Sequence, residues 1–337
     1  MTRVTRRSLI RRGAAGAMLA CWALAARSAA VRSPVVSRMD AMSDAPASGS
    51  GAGSLVTRRN TQFLTTADGR RLCFAEWGQP QGFPILTLHG SPGSRFVGPR
   101  ADGLMRELGI RLITYDRPGY GHSTRRGPKT RVVDHVEDVR ALADRLRIAS
   151  FAIAGGSAGA PPALAVAARL RDRVVRVANW GALAPFDALG LDEYQRYQSR
   201  ETREYLAAVR ESEAACTALF ARLDAQDRAD LAPNDPRREV VLEPNRQGVA
   251  GWVDDERALQ APWGFDVADV RVPTLIHANP QDTLTPPNFA AWLVARIDNA
   301  VLVMSKYALG HAALQDRPRA IRAYFTWLAQ GGSPAMP

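Results

Sequence analysis

Short, nearly uninterrupted apolar runs recur along the chain at Ile85–Leu88, Ile110–Tyr115, Phe151–Ala154, Val174–Trp180, Val272–Ile276 and Val301–Met304. Runs of this length, apolar at almost every position rather than every second one, are the pattern of strands buried on both faces. Between them lie helical periods. In the clearest, Val132, Val136, Val139, Ala143 and Leu146 fall four, three, four and three residues apart, which places them in one stripe. Such alternation predicts an α/β fold, a mostly parallel sheet with helices on both faces. Upstream, a run around Phe63 and another over Arg71–Trp77 flank Asp68-Gly69, a tight-turn pair that predicts an antiparallel hairpin.

The rhythm breaks from about residue 185 to residue 262. Helix formers and aromatics dominate there, among them Tyr194, Tyr197, Tyr205, Phe220 and Trp252, and no buried strand is evident. A helical insertion is expected, a lid over the C-terminal edge of the sheet where open α/β sheets bind ligands, with an apolar pocket beneath it. The folded part then divides into a first core segment at 58–184, the lid at 185–262 and a second core segment at 263–331. No internal repeat is present.

The net charge of +11 points to an acidic partner only if it is spread over the folded surface. It is not. Residues 1–38 hold eight arginines and no acid, leaving 36 basic against 33 acidic side chains in the remainder. The body carries no nucleic-acid footprint, and the expected partner is a small molecule. Thr5-Arg6-Arg7-Ser8-Leu9-Ile10, the apolar stretch from Gly13 to Ala26 and the small residues Ser28, Ala29 and Ala30 resemble a twin-arginine export leader, so residues 1–38 are expected to direct the protein to the periplasm or outside the cell. Translation upstream of a start at Met39 or Met42 leaves the same composition and implies a cytoplasmic protein instead. The apolar stretch is too short, and too rich in Gly and Ala, for a stable membrane span. Residues 39–57, mostly Ser, Gly, Ala and Pro, have little to bury and are expected to be a disordered linker.

Cysteine spacing suggests neither a disulfide framework nor a metal site. Cys21 lies in the leader, while Cys73 and Cys216 are expected to be packing residues.

The strongest chemical signal is Gly155-Gly156-Ser157-Ala158-Gly159, directly after the strand Phe151–Ala154 and before the helical run Ala163–Leu170. A serine on a sharp strand-to-helix turn needs small neighbours, which Gly155 and Gly159 supply. Such a turn aims the hydroxyl at the mouth of a site, with a helix N-terminus beneath it that favours developing negative charge. Pro161-Pro162 fits the first turn of that helix, where the missing N–H groups have no partner to lose.

A second motif, His89-Gly90-Ser91-Pro92-Gly93-Ser94-Arg95, ends the strand Ile85–Leu88, and Asp116-Arg117-Pro118-Gly119-Tyr120-Gly121-His122-Ser123 ends the next. Together with the serine turn these motifs resemble the α/β-hydrolase superfamily, in its esterase and proline iminopeptidase-like branch, over roughly residues 60 to 330 apart from the lid. The resemblance implies an oxyanion hole built from the backbone N–H groups of Ala158 and Ser91. His89 and Gly90 are then loop supports, and Asp116 and Arg117 hydrogen-bonding braces.

The family's chain order of Ser, acid, His makes Ser157 the nucleophile. Of the five histidines, His89, His122 and His135 precede it. His277 ends a buried strand, and His311 follows the last one, where the family carries its base. The acid implied is Asp282 in Asn279-Pro280-Gln281-Asp282, with Asp187 after Val174–Trp180 as the alternative. The family usually has Gly at the place of Asn279, and Asn is among the few other residues that tolerate positive φ.

The implied reaction is acyl transfer, without metal or organic cofactor, on a small or medium apolar carboxylic ester. An aminopeptidase, an amidase or a C–C bond hydrolase of the same fold is the alternative, and a non-catalytic ligand receptor is the alternative of another class. Proline iminopeptidases carry a second glycine after His-Gly and usually a Trp after the serine, where this chain has Ser91 and Ala158. They also need lid acids for a substrate amine, and Glu201, Glu204, Glu211 and Glu213 are what a solvated helix face shows.

Overall fold

The computed structural model describes residues 60–97, 99–190, 194–196, 198–233, 235, 238–305, 311 and 318–332. The leader at 1–38, the linker at 39–57 and Tyr197 lie outside them. The hairpin forms from β1 (Gln62–Thr65) and β2 (Arg71–Gly78), antiparallel, with Gly69 at φ +80° in the turn. The remaining strands are β3 (Phe83–Leu88), β4 (Ile110–Tyr115), β5 (Phe151–Gly156), β6 (Val174–Trp180), β7 (Thr274–Ala278) and β8 (Ala300–Met304). They make one eight-stranded sheet in the order β1-β2-β4-β3-β5-β6-β7-β8, parallel from β4 onward, with β2 antiparallel to β4.

The apolar runs become strands because both faces are covered. On one face, α1 (Pro99–Glu107) and α10 (Pro318–Gln330) contribute Ala101, Met105, Tyr324, Phe325 and Leu328 against Ile85, Leu112, Ala152 and Ala154. On the other, α2 (His135–Arg145), α3 (Ala160–Arg169) and α9 (Pro287–Val294) pack against Leu86, Ile113, Ile153 and Ile276. The stripe on α2 is buried through Val136, Val139, Leu142 and Ala143, preceded by a turn of 3-10 helix at Val132–Asp134. β7 starts two residues later than its apolar run, because Val272 and Pro273 form the lead-in and pairing with β8 begins at Thr274.

Between β6 and β7 the described residues are helical, with α4 (Phe186–Leu189), α5 (Arg200–Glu211), α6 (Glu213–Ala229), α7 (Arg238–Leu242) and α8 (Ala250–Leu259). Their aromatics divide: Tyr194 and Tyr205 reach the cleft beside the insertion, as expected, while Phe220 and Trp252 pack within the insertion. Phe220 stacks on Trp252 at 4.2 Å and on Tyr205 at 5.4 Å, closing a small core of their own with Val209, Cys216 and Tyr120. Cys73 and Cys216 are buried and unbridged. None of the described helices is long and apolar enough to cross a membrane.

Candidate active site

Ser157 stands where β5 gives way to a turn of 3-10 helix at Ser157–Gly159, which runs on into α3 with proline in its first turn. Its backbone sits at φ +51°, a region that L-residues avoid unless the surroundings hold them there. Close packing does so: a Cβ on Gly155 would lie 2.2 Å from the Gly159 carbonyl oxygen, and one on Gly159 would lie 2.3 Å from that of Leu88. Glycine at both positions lets the turn close against β3.

Asp282 follows β7 and is 3% exposed. Its Oδ1 accepts the backbone N–H groups of Leu284 and Thr285 at 2.9 and 2.8 Å, and its Oδ2 accepts the Thr285 hydroxyl at 2.6 Å. The same Oδ2 meets His311 Nδ1 at 2.7 Å. Burial alone would raise the Asp282 pKa, but the His311 ring and the Thr285 donors outweigh it and hold it below the ordinary value. Asp187, the alternative acid, lies exposed in the short helix α4. His277 is buried in β7, where burial lowers its pKa to about 4. His122 reaches Glu243 at 3.3 Å.

The two loops flanking the serine turn are braced by buried ions. Arg117 Nη1 and Nη2 both donate to Asp255 of α8, the latter at 2.7 Å. The Ser91 hydroxyl donates to Asp255 Oδ2 and accepts from Arg117 Nη2 at 3.1 Å and Tyr120 at 2.9 Å. Burial would raise the Asp255 pKa, but Arg117 more than offsets this and holds it low. Asp116 accepts the N–H groups of Arg95 at 2.7 Å and His122 at 2.9 Å, and the Arg95 guanidinium at 2.7 Å. His89 accepts the Arg117 N–H on Nε2 at 3.0 Å, so its proton sits on Nδ1 and donates to the Gly90 carbonyl at 2.7 Å. Burial, then the Arg117 charge, hold that ring neutral.

Ser157, Ala158 and Ser91 share a cleft with Leu183, Tyr194, Gln198, Tyr205, Leu206, Glu256, Leu259, Gln260, Leu284 and Thr285. It encloses about 520 Å³ of empty space, open mouth included. One wall is the sheet's C-terminal edge and the other is the helical insertion. Among the described residues no group of three or more His, Cys, Asp or Glu side chains is placed to hold a metal ion.

The sequence profile of the α/β hydrolase fold matches residues 84–318. This chain belongs to that family. A proline iminopeptidase from Neisseria meningitidis serogroup B is 23% identical over 276 residues, covering 80% of this α/β hydrolase and 79% of the relative. One from Arabidopsis thaliana is 30% identical over 120 residues, covering 33% of the hydrolase and 30% of the relative, so this chain spans less than a third of that protein's length. A hydrolase from Pseudomonas aeruginosa PA01 superposes with a TM-score of 0.60 at 21% identity, covering 80% of this chain and 98% of the other. That likeness concerns the fold.

The structure therefore brings Asp282 to His311, and Ser91 and Ala158 to the cleft that Ser157 lines, while Asp187 stays apart. The loop residues Ala308, Leu309 and Gly310 before His311 lie outside the described residues. Several of the hydrolase's site residues were not expected from sequence. Asp254, Asp255 and Glu256 are three consecutive acids on α8, all buried. Asp254 takes Arg125 through two contacts at 2.6 Å, Asp255 takes Arg117, and Glu256 faces the cleft. Burial, then the Asp255 charge, push the Glu256 pKa up to about 8, so this carboxyl is largely uncharged at neutral pH. The signal was there: three charges in a row on a helix otherwise rich in Ala, Trp, Val and Leu cannot all reach solvent on one face.

Proposed function

We propose that this hydrolase cleaves a carboxylic ester through an acyl-enzyme on Ser157. The observation that carries the proposal is the strained Ser157 turn together with the 2.7 Å contact from Asp282 to His311 Nδ1. With Nδ1–H donated to Asp282, the His311 tautomer leaves Nε2 as an acceptor, the state a general base needs. His311 takes the Ser157 proton as the hydroxyl attacks the carbonyl, and Asp282 stabilises the imidazolium. The N–H groups of Ala158 and Ser91 hold the oxyanion, and His311 then returns the proton to the leaving alcohol. Water releases the acyl group by the same path reversed. The insertion serves as a lid that shapes the cleft.

The iminopeptidase relatives favour a second reading, an aminopeptidase that anchors a substrate ammonium group. Among the described lining residues the cleft offers such a group one carboxyl, Glu256, whose pKa burial and then the Asp255 charge raise while no cation is bound, and Glu201, Glu204, Glu211 and Glu213 point to solvent. An ammonium group would therefore have to ionise Glu256 on binding.

A fluorophosphonate probe followed by peptide mapping tests the proposal. The adduct is expected on the peptide containing Ser157, with turnover of p-nitrophenyl acetate and butyrate exceeding that of proline p-nitroanilide. Labelling of another residue, or faster release from the anilide, would overturn it; no labelling and no turnover would favour a receptor.

Gly181 offers a finer check on the base. It sits at φ +53°, and a Cβ there would lie 2.7 Å from His311 Cε1. Gly181→Ala is expected to push the imidazole aside and lower kcat/KM by about 10- to 100-fold, since displacements near 1 Å have effects of that size. Stability should fall by only about 1 kcal/mol, the ordinary cost of a positive φ at alanine. Steady-state kinetics beside thermal melts separates the two effects.

A further inference from the structure

Two carboxamides in the cleft stand unpaired among the described residues. Gln198 is 5% exposed, and neither its Nε2 nor its Oε1 has a hydrogen-bond partner among the described residues; the same holds for both amide atoms of Gln260. Buried polar atoms are almost always paired, and four unpaired ones in a single cleft call for an explanation. Local structure does not supply one. The Gln198 backbone is already tied, its N–H to Gln195 and its carbonyl to the Arg203 guanidinium at 2.6 Å, while the Gln260 N–H closes the end of α8 on Arg257. Neither side chain is needed to hold its segment. Glu256 and Gln260 stand four residues apart on α8, so they share one face of that helix, and Gln198 approaches from the segment before α5.

The lining narrows what these groups can receive. The described lining residues include no Arg, Lys or His, so a carboxylate in the substrate would meet no cation. A plain hydrocarbon chain would leave both amides buried without partners, which a site built to bind such chains avoids. Amides and a protonated carboxyl each donate and accept, and they are matched by a neutral group that does the same.

Resting on the ester-hydrolase reading, we propose that the substrate carries, beside its scissile ester, a neutral group that both donates and accepts hydrogen bonds, a hydroxyl or a secondary amide, seated between Gln198 and the Glu256–Gln260 face of α8. The plain apolar ester expected from sequence is then a poor substrate. Sites that hydrogen-bond a substrate group discriminate strongly against analogues lacking it.

The test uses ester pairs matched in size, differing on the acyl side (p-nitrophenyl 2,4-dimethylpentanoate against p-nitrophenyl N-acetylalaninate, and p-nitrophenyl 3-methylbutanoate against p-nitrophenyl 3-hydroxybutyrate) and on the alcohol side (4-methylpentyl against 2-acetamidoethyl butyrate, and butyl against 3-hydroxypropyl butyrate). Each kcat/KM is divided by the ester's hydroxide-catalysed rate constant. The wild type is expected to favour a polar member at least tenfold on one side, the amide and hydroxyl arms telling the two sources apart. Gln198→Leu and Gln260→Leu are expected to bring that ratio towards one. Loss of folded protein lowers both rates together and leaves the ratio untouched, so a folding defect cannot imitate the result. A flat ratio in the wild type, a preference for the alkyl ester, or a ratio that survives both substitutions overturns the inference alone. Absence of turnover with every ester overturns the ester-hydrolase reading, and this inference with it.

Discussion

Replacing Ser157 with alanine is expected to lower kcat on p-nitrophenyl esters by about 10⁶-fold, and Asp282→Asn by about 10⁴-fold, with the melting temperature nearly unchanged in the first case. The two effects differ because the two groups do different work. In the proposed mechanism no acyl-enzyme forms without the Ser157 hydroxyl, and what remains is the modest help of the N–H groups at Ala158 and Ser91. Asn at 282 keeps the shape but presents an amide to His311 Nδ1, where the carboxylate now accepts at 2.7 Å. The ring is then free to hold its proton on Nε2, the wrong nitrogen for a base. Because Thr285 also donates to Asp282 Oδ2 and stands 3.1 Å from His311 Nδ1, the asparagine variant should lose some stability as well. The rates come from steady-state assays on protein whose fold is checked by circular dichroism. Wild-type-like turnover by the Ser157 variant would remove that serine from the chemistry.

Much of this architecture could be read from the chain before any coordinates. The runs at 110–115 and 174–180 are the strands β4 and β6 to the residue, because apolar side chains hold both of their ends and the polar residues Arg111, Thr114, Arg176 and Asn179 fall inside. The hairpin turn at Gly69 and the tight packing of Gly155 and Gly159 were legible for a similar reason: close approach and positive φ leave glycine as the usual choice. β7 was misplaced by two residues, since Val272 is as apolar as any strand residue and only Pro273 hints that pairing starts later. The cleft was hardest to foresee. Aromatic content suggested an apolar pocket, and Tyr194, Tyr205 and the leucines around them do line the cleft, but Phe220 and Trp252 are spent on each other, and Gln198, Gln260 and Glu256, which composition would send to the surface, stand in the same wall. Side chains of that kind go inside only when something specific pairs with them or is meant to, and such a partner is a long-range fact. Arg117 and Asp255 are 138 residues apart in the chain, and no local pattern joins them.

That pair supports the second large effect. Asp255→Ala is expected to cost about 3–5 kcal/mol, because it leaves the Arg117 guanidinium, wholly buried, with its charge uncompensated. For a domain of this size the melting temperature should fall by roughly 10 °C. Activity should fall further than the loss of folded protein explains. Asp255 Oδ2 also takes the hydroxyl of Ser91, which in turn accepts from Tyr120, so its removal loosens the loop that carries the Ser91 N–H into the cleft. The double variant Arg117→Met, Asp255→Leu separates the two roles. Removing both charges together avoids the orphaned ion, and buried pairs replaced by apolar residues of similar volume are often no less stable than the original. Stability should therefore recover in the double variant, while kcat stays low for want of the polar tether on Ser91. Thermal melts and kinetics on the wild type, Arg117→Met, Asp255→Leu and the double variant give the coupling energy directly. A double variant that regains full activity along with its stability would show that the Arg117–Asp255 pair is a structural brace with no part in placing the Ser91 loop.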